Sequence, residues 1–172
     1  MNPERPEVLF TAERIAARTA ELGKRISDDY RGKPLTLVVL MNGGMIFGAD
    51  LLRRISVPLW LDSICVASYR GQASSGEVSF RSKLKLPVRD RHILLVDEVF
   101  DSGLTLTALR RYMTEQGALS VRAAAAVVKE RPRAPEITLP EYTGFFAPDR
   151  YLVGYGLDSD EDGRQLPFIG AI

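Results

Sequence analysis

The run from His92 to Leu106, HILLVDEVFDSGLTL, concentrates the side chains best suited to chemistry. Apolar Ile93, Leu94, Leu95 and Val96 lead into Asp97 and Glu98, and Asp101, Ser102, Gly103 and Thr105 follow as a helical pattern begins. A strand covered on both faces reads as an unbroken apolar run, and ligands of open α/β sheets bind beyond the carboxyl ends of such strands. Backbone N–H groups of Asp101 to Thr105, placed where a helix starts, can cradle a phosphate, with the Ser102 and Thr105 hydroxyls as extra donors. Asp97 and Glu98 would repel that phosphate but suit two neighbouring hydroxyls, as on a ribose. The combination suggests a sugar phosphate. The same residue types also cap helices, and spacing alone leaves that alternative open.

The elements that must position this run alternate in period. Thr11 to Asp29 is helical, with Ile15, Leu22 and Ile26 on one stripe, Thr11 as N-cap, and Gly23 weakening the helix. Leu35 to Leu40 is short, β-branched and apolar, a buried strand. Met41 to Gly44 then turns the chain, and Met45 to Ile55 reads as a helix with Ile46, Leu51 and Leu52 mostly inward. Leu59 to Tyr69 is a second strand, Arg70 to Gly76 a polar loop, and Val78 to Lys85 the returning arm of a hairpin. Thr105 to Gln116 is a helix stopped by Gly117, with Arg110, Arg111 and Glu115 on its polar face. Val121 to Val128 is read as a strand that closes a strand–helix–strand crossover, despite its alanines. Arg131 to Pro140 is a connector, Tyr151 to Gly156 a short strand, and an acidic turn precedes a final apolar patch at Leu166 to Ile172.

At 172 residues, with 45% hydrophobic and 26% charged, the chain suits one domain, and a net charge of +1 provides no overall field for nucleic acid or an anionic membrane. One cysteine, Cys65, and one histidine, His92, exclude an internal disulfide and a Cys/His zinc cluster; both are read as structural. The opening MNPERPEVLF lacks the apolar core of a signal peptide, and no segment approaches the roughly 20 apolar residues of a membrane span. A reducing, cytoplasmic setting is expected.

VDEVFDSGLT resembles the phosphoribosyl-pyrophosphate motif of the type I phosphoribosyltransferases. LMNGGMIF (40–47), ASYRGQASSGEV (67–78), VVKERPR (127–133) and PDRYLVGYGLDSDEDGRQLPFIG (148–170) narrow the resemblance to the hypoxanthine-guanine phosphoribosyltransferases, in the family's order along nearly the whole chain. The resemblance implies an α/β fold, a mostly parallel twisted sheet flanked by helices. It implies one domain over residues 1–172, with a core at about 35–140 and a small hood from about 1–15 and 145–172.

It also implies roles. Asp97 and Glu98 hold the ribose hydroxyls, while Asp101, Ser102, Gly103, Leu104 and Thr105 form the 5′-phosphate loop. Asp101 also manages the proton on purine N7. Asn42, Gly43 and Gly44 match the pyrophosphate loop, often with a cis peptide at Met41–Asn42; many members carry Lys or Arg where Asn42 stands. Ser68 and Tyr69 begin the loop that closes over the reacting groups. Lys129 meets the purine 6-oxo group, because a donor-only ammonium suits a carbonyl and not the amino group of adenine. Tyr151 stacks on the base and Leu152 contributes main-chain contacts. Asp158, with Glu98, helps hold Mg²⁺, and Arg164 contacts the leaving group. The implied reaction joins hypoxanthine or guanine to phosphoribosyl pyrophosphate in a homo-oligomer, dimer or tetramer. A xanthine-preferring or other-base transferase remains open, as does a non-catalytic sensor of phosphoribosyl pyrophosphate.

Overall fold

Apolar strands that alternate with amphipathic helices must bury both faces of a sheet, and they do so here. The computed structural model of the protein describes residues 6–67 and 79–172. Its main sheet combines β2 (Leu35–Met41), β3 (Leu59–Ala67), β4 (Ser79–Phe80), β5 (His92–Phe100), β6 (Ser120–Glu130) and β7 (Tyr142–Pro148). The spatial order is β4-β3-β2-β5-β6-β7, parallel throughout except for β4, which runs antiparallel to β3. With β1 (Glu7–Phe10) placed elsewhere, the helices are α1 (Ala12–Asp29), α2 (Met45–Leu52) and α3 (Leu104–Glu115).

Alternate residues of β2 show how the layers form. Leu35, Leu37 and Val39 join Ile15, Leu22, Ile26, Phe47 and Leu51 in the core under α1 and α2. Val38 and Leu40 point the other way, into a core with Leu106, Leu109 and Met113 of α3. Fully covered strands of this kind are why β2 and β5 read as continuous apolar runs. The alanines of β6 fit the same logic: Ala124 and Ala126 serve one core and Ala123 and Ala125 the other, so small side chains sit between two helical layers.

Thr11 caps α1 as expected, accepting from Arg14 N at 3.4 Å. Gly23 has a positive reason to be in that helix: a Cβ there would lie 2.4 Å from Arg54 Cβ and 2.7 Å from Arg54 O. The glycine lets α1 approach the end of α2. That helix stops at Leu52, short of the expected Ile55, because Arg54 and Ile55 bond back only three residues, to Leu51 and Leu52. Arg110 also departs from expectation, since it forms a paired contact with Glu141 at 2.9 and 2.7 Å and does not belong to a solvated face.

Two regions of the chain were illegible as strands. No strand is expected from the sequence at β7, which falls just past the connector at Arg131 to Pro140 and partly within the expected hood, yet it pairs with β6 along the edge of the main sheet. Its Gly144 marks a close backbone approach, where a Cβ would meet Ala126 O at 2.3 Å, and Arg18 of α1 covers the carbonyls of Thr143 and Gly144 at 2.9 Å each. The hood is a separate three-stranded antiparallel sheet in which β9 (Ile169–Ala171) lies between β1 and β8 (Leu152–Val153). The strand expected over Tyr151 to Gly156 is cut to β8 because Gly154, Tyr155 and Gly156 have φ of 92°, 52° and 101°, outside extended geometry.

Candidate active site

β5 delivers Asp97 and Glu98 at its carboxyl end, next to the turn that follows β2. Both residues are half-buried, and Asp97 Oδ1 accepts from Glu98 N at 3.0 Å. Burial, then the adjacent Glu98 carboxylate, pushes the Asp97 carboxyl well above the usual carboxylate range. Glu98 leans over the β2 turn so closely that a Cβ on Gly43 would sit 2.0 Å from its Oε1. Gly44 is held from behind, with Leu40 O and Val96 O at 2.7 and 2.9 Å from where its Cβ would be. Glycines are required here by close approach. The Met41–Asn42 peptide is cis, as the resemblance implied.

Beyond β5 the chain turns through Gly103, whose φ of 82° is left-handed, directly into α3 at Leu104. Gly103 is itself the N-cap and supplies no side-chain hydrogen bond; Ser102 Oγ only reaches Leu104 N at 3.4 Å. Capping by Asp101 or Thr105 is therefore not what these residues do. Amides of the first turn stay open to an anion.

Asp101 is engaged elsewhere. Its Oδ1 accepts from Arg131 at 2.6 Å and its Oδ2 lies 3.6 Å from Lys129 Nζ. Asp149 stands opposite, 3.8 Å from Lys129 and 3.7 Å from Arg131, which completes a ring of alternating charge. Lys129, only 15% exposed at its side chain, thus leaves the apolar strand β6 between two carboxylates. Arg133 ties the ends of β5 and β6 together, donating to Phe100 O, Asp101 O and Lys129 O while its guanidinium lies 4.9 Å from the Phe100 ring.

The tail closes the other side. A Cβ on Gly156 would lie 2.2 Å from Gly43 O, so the GYGLD segment rests on the glycine turn. Arg164 donates to Gly156 O at 2.8 Å and pairs with Asp158 at 2.9 Å and Glu161 at 3.0 Å. The result is a cleft of about 530 Å³ whose walls include Asn42, Gly43, Asp97, Glu98, Asp101, Ser102, Gly103, Thr105, Asp158 and Arg164.

Most of the expected site residues therefore meet in one place, and the others stand around it. Gly44 supports the turn from behind and Leu104 is exposed on the first turn of α3. Lys129 touches the site through Asp101. Tyr151 is exposed between β7 and β8, and the Leu152 side chain is buried in the hood, leaving only its main chain for a ligand. Ser68 and Tyr69 lie outside the described residues. His92 is at the opposite end of β5, with Nδ1 2.7 Å from Ser120 Oγ, and Cys65 is a free thiol in β3.

Arg81, Arg131, Arg133, Asp149 and Glu161 were not singled out from the sequence, although the last four fall inside the matched motifs. Among the described residues no group of three or more His, Cys, Asp or Glu side chains is arranged as a metal cage. Asp158 and Glu98 nonetheless face one cleft with carboxylate oxygens, a donor set that fits Mg²⁺ shared with substrate oxygens and water.

Residues 7–159 match the phosphoribosyl transferase domain family. A hypoxanthine-guanine phosphoribosyltransferase of Mycobacterium avium is 39% identical, over 96% of this chain and 84% of its own length. The crystal structure of a hypoxanthine phosphoribosyltransferase from Staphylococcus aureus superposes with a TM-score of 0.92 at 34% identity, covering 96% of this chain and 90% of that one. A Trypanosoma cruzi hypoxanthine phosphoribosyl transferase structure gives 0.91 at 30% identity, over 100% and 94% of the two chains. With a parallel sheet flanked by helices, the strand-end carboxylates and a match along nearly its whole length, the chain belongs to the hypoxanthine-guanine phosphoribosyltransferase family.

Proposed function

We propose that the protein transfers a 5-phosphoribosyl group from phosphoribosyl pyrophosphate to hypoxanthine or guanine, giving IMP or GMP and pyrophosphate in purine salvage. The observation that carries this reading is the pairing of Asp97 and Glu98 with the uncapped start of α3 on one cleft. A diol acceptor beside an anion cradle suits a ribose 5-phosphate, with Ser102, Gly103, Leu104 and Thr105 at the phosphate.

The base enters beside Asp101. Lys129 donates to its 6-oxo group, Tyr151 stacks on the ring, and the Leu152 main chain meets its edge. Asp101 takes the N7 proton as the purine nitrogen joins the anomeric carbon and pyrophosphate leaves. Asn42, Gly43 and Gly44 receive the diphosphate on backbone amides, and Arg164 stabilises its developing charge. Asp158 and Glu98 are the residues that would hold Mg²⁺, and the ion would add positive charge at the leaving group. Exclusion of water from the reacting atoms is assigned to the loop that begins with Ser68 and Tyr69. The molecule acts as one domain and as a homo-oligomer in the cytoplasm, free of nucleic acid and membrane. Its oligomeric state is supported by an apolar groove of about 370 Å³ between α2 and β3, at whose edge Met45 and Leu61 are half exposed.

Steady-state rates with hypoxanthine, guanine, xanthine and adenine at saturating phosphoribosyl pyrophosphate and Mg²⁺ test the reading. Turnover of hypoxanthine and guanine with adenine rejected is the expected result. Tight binding of the donor with no nucleotide formed from any base would show a sensor in place of an enzyme.

A further inference from the structure

We propose that Arg81 is a diphosphate-binding residue, supplying from β4 the positive charge that the glycine turn does not carry. The inference rests on the reading of the cleft as the site of a ribosyl diphosphate.

The charge inventory of the cleft raises the question. Among the described residues its walls carry the carboxyls of Asp97, Glu98, Asp101, Asp158 and Glu161 against two guanidiniums, Arg164 and Arg81. Arg164 is already committed to Asp158, Glu161 and the Gly156 carbonyl. The turn Met41-Asn42-Gly43-Gly44 contains no cation at all. Even with Mg²⁺ at Asp158 and Glu98, a diphosphate entering between these walls faces more carboxyls than cations, and a further cation offsets that repulsion. Arg81 is exposed on that wall, and among the described residues its guanidinium has no ion-pair or hydrogen-bond partner.

Its placement follows from the sheet. Met41 is opposite Cys65 across the β2–β3 ladder, and Arg81 N donates to Cys65 O at 2.9 Å. Met41, Cys65 and Arg81 therefore form one lateral row, level with the start of the glycine turn. The spatial order of strands then sets the order of functions along the cleft: the α3 anion cradle after β5, the glycine turn after β2, and Arg81 beyond it on the β4 side. A diphosphate lying on the glycine turn has the 5′-phosphate cradle on one flank and the Arg81 guanidinium on the other. A guanidinium presents a planar fork of N–H donors that fits phosphate oxygens in pairs, and its backbone is anchored while its long side chain is free to reach.

The test uses the fact that only some ligands carry the diphosphate. Arg81→Ala should raise KM for phosphoribosyl pyrophosphate, and KM for pyrophosphate in the reverse reaction, by about tenfold, the loss of one charge-assisted contact. Affinity for the nucleoside 5′-monophosphate product, measured by inhibition or calorimetry, should stay within about twofold, because that ligand occupies the α3 cradle and not the β4 flank. Arg81→Lys should recover part of the loss, since the charge returns without the fork. An unchanged KM for pyrophosphate, or an equal loss of nucleotide affinity, overturns the proposal. A wild-type protein that turns over no phosphoribosyl pyrophosphate and binds none overturns the underlying reading with it, whereas an active wild type with an unaffected Arg81→Ala variant overturns this inference alone.

Discussion

Asp97 and Glu98 are adjacent in sequence at the crowded carboxyl end of β5, and the Asp97 carboxyl is shifted there. Its carboxyl is pushed up first by desolvation and then by Glu98, so the empty folded protein keeps a proton there at pH values where the unfolded chain, near about 3.9, has already lost it. The sign follows directly. A raised carboxyl pKa costs the fold stability as pH climbs from the unfolded value through the folded one. On the proposed reading ribose hydroxyls would donate to the ionised form, so binding of phosphoribosyl pyrophosphate should release a proton, and its affinity should rise with pH across that window. Calorimetric titration in buffers of different ionisation enthalpy would show the release as a buffer-dependent heat, reduced in Asp97→Asn. Equal heats in all buffers would contradict it. At this scale the sequence was informative where function is local: Asp97, Glu98, Asp101, Ser102 and Thr105 sit within a few residues of one another. Arg131 and Asp149 were not legible, because their meaning is a ring closed with Asp101 and Lys129 from separate elements.

Elements with strong periodicity emerged from the chain with little error. α1, β2 and α3 came within a residue of their observed ends because their apolar faces are dictated by two well-defined cores. β1, β7 and β9 did not, since a short or edge strand needs no continuous apolar run and takes its pairing from distant partners. Gly23 shows how local propensity misleads. In an exposed helix, replacing glycine by alanine stabilises by about 0.5–1 kcal/mol. Here the new methyl would meet the Arg54 backbone, its carbonyl oxygen 2.7 Å away, where no side-chain rotation relieves the contact. Gly23→Ala should therefore destabilise the protein by about 1–3 kcal/mol, the usual range for overpacking, and shift the denaturant midpoint downward. A variant more stable than the parent would mean that α1 and α2 separate easily. Arg54→Gly should not rescue it, because backbone atoms remain.

For the whole molecule the decisive feature is a face that the described residues leave uncovered. α2 covers β2 but not all of β3, so Met45 and Leu61, 50% and 51% exposed, border the apolar groove between the two. A contiguous apolar surface beside an otherwise mixed-charge exterior suits a second copy, and a stable symmetric contact removes roughly 800 Å² per partner. The location matters for chemistry, because α2 begins at Met45, directly after Gly44, and a partner pressed on this helix would hold the glycine turn in place. Leu61→Glu should put a charge into that contact without disturbing either core, since Leu61 belongs to neither. Light scattering across a concentration series should then report an oligomer for the parent and a smaller species for the variant. If the contact braces the turn, KM for pyrophosphate should rise in the variant while the unfolding midpoint measured below the parent's dissociation concentration stays the same. A parent that remains monomeric at micromolar concentration, or a variant of unchanged mass, would remove this face from the assembly and leave the turn braced by its own chain, through Gly156, Glu98 and the Leu40 and Val96 carbonyls.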